Sequence, residues 1–354
     1  MSTTTAMEFT FQLHVTSRCN LACRHCYQHE PAGDELSLDE IENVVEEFEI
    51  TLDKWSGAYG MDLRATWNVT GGEPLLRRDL FEILDTIAKR DHPIYLLTNG
   101  TLLSGNVARR LAQVPVKGVQ VSLEGPEPIH DRIRGEGSFA KALEGVVSLL
   151  SAGHLVTMNV TLSRINAPHF MEMIDLARSV GVHNLGFSRI VPYGKGVSLS
   201  GQMLSIEEVK DLYDNLSALR MDDLNLVTGD PVASCLFNPE MHDPAGDVAI
   251  GGCAAGVSGI TLMPDGTLLP CRRLDIPMGN IRTDSFREIW ASSPVLSKLR
   301  DRDLYHGNCG WCSRWAMCRG CRAIAYAQSR LEGEGDILAD DPQCIFALEY
   351  EARS

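Results

Sequence analysis

The stretch FTFQLHVTSRCNLACRHCYQ, residues 9–28, decides how this chain is read. It begins as a short β-strand candidate, FTFQLHVT, and runs directly into Cys19, Cys23 and Cys26, a C-x3-C-x2-C cluster beside His25 and Tyr27. Tetrahedral zinc sites and ordinary iron-sulfur sites recruit four protein ligands. Three thiols therefore either borrow a further ligand, with His25 and His29 as nearby candidates, or leave one metal position open. Structural zinc usually uses two paired knuckles, whereas this trio follows a strand.

The 354 residues predict one large domain with a smaller one appended. A net charge of −15 argues against nucleic acid as a partner, because phosphate recognition rests on Lys and Arg. The opening MSTTTAMEFTFQLHV lacks a charged segment followed by an apolar one, and no stretch approaches a membrane span, so a cytoplasmic protein without a membrane partner is expected. Eleven cysteines in such a chain do not read as a disulfide framework. Three stand at the front and eight, Cys235, Cys253, Cys271, Cys309, Cys312, Cys318, Cys321 and Cys344, at the back.

Between residues 8 and 200 short apolar runs alternate with longer amphipathic segments, the pattern of repeated β-α units around a parallel sheet. Six strand candidates are FTFQLHVT, LRATWNVTG, IYLLTNG, GVQVSLEG, VTMNVTLS and NLGFSRIV. The helix SLDEIENVVEEFEITLDKW opens with a capping box, Ser37 and Glu40, and Pro74 and Asp79 bracket the start of LFEILDTIAKR. Loops beyond the C-terminal ends of parallel strands carry function. The trio, TGGEP, TNGT and SLEGP all fall there, on one rim. The chain divides into a body over 1–200, a bridge over 201–250 and a cysteine-dense region over 251–354, where GITLMPDGTLLPC reads as a hairpin turning at Pro264, Asp265 and Gly266.

The trio and TGGEP together resemble the radical S-adenosylmethionine (SAM) superfamily, whose hallmark is C-x3-C-x-aromatic-C after the first strand of a partial α/β barrel, here TIM-like and (β/α)6. His25 stands at the aromatic position. The resemblance implies that Cys19, Cys23 and Cys26 hold three irons of a 4Fe-4S cluster and that the methionine moiety of SAM takes the fourth. It further implies reductive cleavage of SAM to a 5′-deoxyadenosyl radical, with an electron donor such as flavodoxin or ferredoxin. By the same resemblance, Gly71, Gly72 and Glu73 would contact the SAM ammonium, Ser122, Asn99 and Asn159 its polar groups, and Arg134 its carboxylate, with His25 and Tyr27 alongside. Alone, TGGEP reads equally as a glycine turn before a helix N-terminus that favours Glu73. His130, Asp131 and Arg132 read equally as a solvated loop.

The back set resembles the SPASM extension of radical SAM enzymes, which carries auxiliary iron-sulfur clusters. The aligning features are Cys253, Gly266 and Cys271 (C-x12-G-x4-C), Cys309, Cys312 and Cys318 (C-x2-C-x5-C), then Cys321 and Cys344. Cys318 and Cys321 are separated by Arg319 and Gly320 alone, one residue fewer than the family pattern. The resemblance implies that Cys253, Cys271 and Cys321 hold one auxiliary cluster and Cys309, Cys312, Cys318 and Cys344 a second, three clusters in all. Cys235 is a candidate fourth ligand of the first auxiliary set, and otherwise a small buried hydrophobe. A structural zinc ribbon is the alternative for the whole set.

Many SPASM enzymes modify peptides or proteins by cross-linking, oxidation, epimerisation or decarboxylation, and that class is the leading expectation. Because the barrel begins almost at once, a leader peptide would need a separate recognition protein or the barrel mouth. The runner-up is processing of tetrapyrrole propionates in alternative haem or haem d1 routes, whose enzymes have tails resembling CRGCRAIAYAQSRLEGEGDILADDPQC. A non-catalytic iron-sulfur electron carrier is the third class. No acid or base is assigned.

Overall fold

The barrel strands form from runs in which apolar and β-branched residues alternate with hydroxyls and amides, so each strand has an apolar outer face and a polar inner one. The structure, a computed structural model, describes residues 6–28, 33–219, 221, 223–237 and 248–348. His29 and positions 238–247 of the expected bridge lie outside them. In β5 (Val156–Leu162), Val156, Met158, Val160 and Leu162 are buried in the main core. Thr157, Asn159 and Thr161 turn inward to line cavities.

All six expected strands are present: β1 (Ala6–His14), β2 (Asp62–Thr70), β3 (Ile94–Thr98), β4 (Val116–Ser122), β5 and β6 (Asn184–Arg189). Neighbours in this series are parallel. The crossovers carry α1 (Leu38–Tyr59), α2 (Leu80–Ala88), α3 (Gly105–Leu111), α4 (Glu127–Arg134), α5 (Ser138–Ser151) and α6 (Phe170–Val180). The capping box of α1 forms as read: the Glu40 N–H donates to Ser37 Oγ at 3.2 Å and the Ser37 N–H to Glu40 Oε2 at 2.7 Å. Asp79 does precede α2, yet its carboxylate accepts from Arg77 at 2.9 and 3.0 Å and makes no side-chain cap.

The sheet is longer than the six strands anticipated. After α7 (Ile206–Ala218), β7 (Asn225–Thr228) adds in parallel to β6, and α8 (Pro231–Phe237) follows. At the other edge β8 (Gly259–Leu262) pairs in parallel with β1, Gly259 level with Thr10. The expected hairpin then joins β8 to β9 (Thr267–Leu269), and β10 (Gly279–Asn280) closes the order β10-β9-β8-β1-β2-β3-β4-β5-β6-β7. The cysteine-dense region is thereby built onto the barrel sheet.

Aromatic packing fastens this region further. Phe11 stacks on Phe48 at 4.1 Å, and Phe286, which opens α9 (Phe286–Ser292), meets Phe48 edge-on at 4.2 Å. Glu47 of α1 accepts from the Phe286 N–H at 2.8 Å. A second core around Leu274, Leu299, Trp315 and Ile324 gathers α10 (Pro294–Arg300), α11 (Gly307–Trp311) and α12 (Arg322–Leu331), and reaches Val191 and Tyr193 beyond β6. Buried Arg189 closes the seam, with Nε on Asp230 at 2.5 Å and Nη1 and Nη2 on Asp341 at 2.9 and 2.8 Å. Among the described residues no helix is long and apolar enough to cross a membrane.

Candidate functional site

The loop after β1, which carries the trio, lies against the loop after β2. The Val15 N–H donates to Thr70 O at 2.8 Å, the Gly72 N–H to Thr16 O at 2.7 Å and the Glu73 N–H to Arg18 O at 2.8 Å. A Cβ at Gly71 would collide with the Thr16 carbonyl, and one at Gly72 with the Ser17 and Arg18 carbonyls. The two glycines of TGGEP therefore let backbone approach backbone, and both still border the cavity below. The Gly71 carbonyl itself accepts from Gln28 Nε2 at 2.6 Å.

Beneath this junction is a cavity of about 170 Å³ lined by Cys19, Cys23 and Cys26. Its strand wall includes Ser122 and Asn159, its far corner Asn99, and its rim His25, Tyr27, Gly71, Gly72 and Arg134. Glu73 differs from expectation: it is fully buried and does not border the cavity. Its carboxylate accepts from Thr98 Oγ1 at 2.7 Å, the Asn99 N–H at 2.8 Å and the Leu75 N–H at 3.2 Å. Those bonds hold the end of β3 and orient Asn99, whose Nδ2 lies 3.9 Å from Cys19 Sγ.

Glu124, to which the sequence reading gave no role, is the hub of the opposite wall. Its Oε1 accepts from Arg134 Nε at 2.9 Å and Nη2 at 2.5 Å and lies 3.1 Å from His25 Nε2, while Oε2 accepts from the Thr161 N–H at 2.7 Å. Burial alone would raise this carboxyl, but the Arg134 charge and the His25 contact outweigh it and hold it well below the ordinary carboxylate range. Arg134 also brings Nη1 to 3.9 Å from Cys23 Sγ. Lys195, Arg272 and Arg273 border the cavity too, and no motif in the sequence singles them out.

Burial pushes the thiols of Cys19 and Cys23 up, which disfavours free thiolates. Among the described residues no three Cys, His, Asp or Glu side chains converge where one metal ion could sit. Tetrahedral zinc, with bonds of about 2.3 Å to sulfur, would require such convergence. Three thiols spread around a cavity, with Arg134 and Asn99 near two of the sulfurs, fit a larger thiolate-bound group and an anionic ligand beside it.

Behind the first cavity lies one of about 500 Å³ inside the barrel, whose walls include Gln12, Asn68 and Gln120 together with Cys253, Cys271 and Cys321. Gln120, Arg272 and Arg273 border both spaces. The short Cys318–Cys321 spacing is a tight turn: Arg319 and Gly320 both have left-handed backbone, φ 61° and 60°. Arg319 clamps this turn by donating to the carbonyls of Gly251 (3.1 Å) and Cys253. Cys321 joins Cys253 and Cys271, while Cys318 faces the other way, beside Cys235. Cys235 Sγ donates to Met317 O at 3.4 Å, and Cys312 and Cys344 are also near enough to influence its thiol. The candidate fourth ligand of the Cys253 set, Cys235, is carried by α8 to the side of Cys312, Cys318 and Cys344. Burial pushes the Cys309 thiol up to about 12, although Arg322 Nη2 lies 3.5 Å from its sulfur.

The pattern of the radical SAM superfamily matches residues 13–177, and that of the iron-sulfur cluster-binding SPASM domain matches 253–322. A relative from Methanosarcina barkeri, AdoMet-dependent heme synthase, is 30% identical over 348 residues, spanning 94% of this chain and 95% of its own length. The chain belongs to the radical SAM superfamily. Mycofactocin maturase MftC of Mycobacterium tuberculosis is 29% identical, over 94% of this chain and 81% of its own. Among solved structures, Streptococcus suis SuiB bound to precursor peptide SuiA shares the fold with a TM-score of 0.73 at 15% identity, over 96% of this chain and 76% of SuiB. As a radical SAM and SPASM enzyme, the chain uses SAM and a 4Fe-4S cluster, and its C-terminal domain is of the iron-sulfur cluster-binding kind.

Proposed function

We propose that this enzyme binds SAM and a 4Fe-4S cluster in the 170 Å³ cavity and acts on a peptide held in the adjoining 500 Å³ cavity. Cys19, Cys23 and Cys26 would hold the cluster, and Ser122, Asn159, Asn99 and Arg134 would orient SAM, with Glu73 acting through Asn99. When bound, the cluster and SAM supply a carbon radical that takes a hydrogen atom from the substrate. Cys253, Cys271 and Cys321 would hold one auxiliary cluster and Cys309, Cys312, Cys318 and Cys344 another, making three clusters, within a SPASM unit over 251–354. An external reductant of the flavodoxin or ferredoxin kind would deliver electrons.

The observation that carries the peptide reading is the chemistry of the inner barrel wall. Thr10, Gln12, Thr66, Asn68, Gln120 and Thr157 present hydroxyls and amides, and among the described residues the buried Gln12 Nε2 has no hydrogen-bond partner. Such groups match the alternating donors and acceptors of a peptide backbone.

A tetrapyrrole substrate is the second reading, favoured by the heme synthase likeness along nearly the whole chain. Anaerobically reconstituted enzyme, reduced with dithionite, should yield 5′-deoxyadenosine from SAM; its absence would refute the enzyme reading. Short peptides encoded beside the gene and propionate-bearing porphyrins, supplied in parallel and followed by mass spectrometry, separate the two substrates. Conversion of a porphyrin alone would overturn the peptide reading.

A further inference from the structure

The turn at Cys271–Leu274 carries two adjacent arginines where the cavities meet. The Leu274 N–H donates to Cys271 O at 2.9 Å, so Arg272 and Arg273 occupy the central positions of a β-turn. Leu274 is fully buried in the second core and anchors that turn. The two side chains part from there.

Arg273 is turned to the thiol side. Its Nη1 donates to Arg189 O at 3.4 Å, among the described residues its Nε is buried without a hydrogen-bond partner, and the Cys321 and Cys271 thiols are within electrostatic reach. Arg272 is turned to the barrel mouth, with its guanidinium 6.0 Å from the centre of the Tyr27 ring. It borders the trio cavity, the inner-barrel cavity and an outer one of about 250 Å³.

Among the described residues Arg272 has no ion-pair partner. The two carboxylates that share the outer cavity are turned elsewhere: Asp275 accepts from Tyr193 Oη at 3.1 Å, and Asp265 from the Thr267 N–H at 3.1 Å. Burial and the Arg272 charge lower the pKa of the nearby His14 ring to about 3, so that ring adds no second positive charge there. A half-enclosed guanidinium without a counter-charge is costly, and its planar fork matches a carboxylate.

We propose that Arg272 anchors a carboxylate of the substrate, holding it between the trio cavity and the Cys253, Cys271 and Cys321 set. This rests on the reading of these cavities as the substrate site. The carboxylate comes from a peptide, as an acidic side chain, or from a tetrapyrrole propionate.

The test is equilibrium binding to anaerobically reconstituted holoenzyme with two matched probe pairs: Ac-Gly-Glu-Gly-NH2 against Ac-Gly-Gln-Gly-NH2, and deuteroporphyrin against its dimethyl ester. At least one acid should bind about tenfold to a hundredfold more tightly than its neutral partner, the range of a charged hydrogen bond. That preference should vanish in Arg272→Gln, persist in part in Arg272→Lys, and leave iron per chain at the wild-type level in both. Preference in the peptide pair alone assigns the carboxylate to a peptide, and in the porphyrin pair alone to a tetrapyrrole. The proposal is overturned by equal binding within both pairs, by an undiminished preference in Arg272→Gln, or by loss of iron from that variant. Failure of the wild type to cleave SAM while the acid preference stands would refute the enzyme reading and leave the anchor in place.

Discussion

Arg134 and Glu124 form a buried ion pair at the wall of the trio cavity, with two guanidinium N–H groups on one carboxylate oxygen at 2.9 and 2.5 Å. The pair ties α4 to the end of β4, and through His25 and the Cys23 sulfur it also ties in the trio loop. Removing one partner strands the other charge in the interior. Arg134→Met should therefore destabilise the fold by about 3–5 kcal/mol, measured as a shift in the urea midpoint.

The same pair sets an acid limit. Glu124 is depressed below its ordinary value of 4.5, so it contributes stability above that pH and the contribution fades as pH falls toward the folded-state value. Urea midpoints should accordingly drop as pH is lowered below about 4.5. Arg134→Met should show a shallower acid loss from this group, its penalty being present already at neutral pH. A parallel pH dependence in both proteins would contradict the assignment.

Gly72 is where the trio loop presses on TGGEP. Gly72→Ala would force the Ser17 and Arg18 carbonyls apart from it. The expected cost is about 1–3 kcal/mol, read in thermal melting. Iron should fall together with 5′-deoxyadenosine formation, since the displaced segment leads directly into Cys19.

Replacing Cys19, Cys23 and Cys26 together by Ala should abolish SAM cleavage while retaining about two clusters' worth of iron in the C-terminal region, at four irons per site. Iron quantitation with electron paramagnetic resonance checks this. A protein without iron would show that the front and back sets do not load independently.

Cys235→Ala should leave iron per chain near the wild-type level. Three further thiols, Cys312, Cys318 and Cys344, lie near enough to influence it, and the cavity bordered by Cys253, Cys271 and Cys321 does not include Cys235. A loss confined to the signal of the Cys253 set would restore Cys235 to the role the sequence suggested.

Much of the fold was legible because local pattern dictates it. The six strand runs, the Ser37 capping box and the Pro264–Gly266 hairpin depend on neighbours a few residues apart, and each stands where the sequence placed it. How the sheet extends past those six strands, through β7 at one edge and the hairpin and β10 at the other, was not legible. β7 has four residues, none of them buried, and the hairpin strand β8 betrays nothing of its partner β1. Parallel pairing is chosen at a distance, by crossover geometry.

Within the site, spacing alone identified the trio, and its place after a strand identified the rim. Glu124 and Arg272 were illegible for another reason. Glu124 gains its meaning from Arg134, His25 and Thr161, which reach it from a helix, a loop and a strand, and Arg272 from a turn that faces three cavities at once. The residues themselves determined which chemistry the chain carries: three thiols after the first strand, glycines where backbones must touch, and a thiol-rich tail. Only the tertiary structure decided what faces what. It tied the Glu73 carboxylate to Thr98 and Asn99, set Cys235 beside Cys318 and split Cys318 from Cys321 across a two-residue turn, because side-chain direction follows from backbone register and packing, which spacing does not encode.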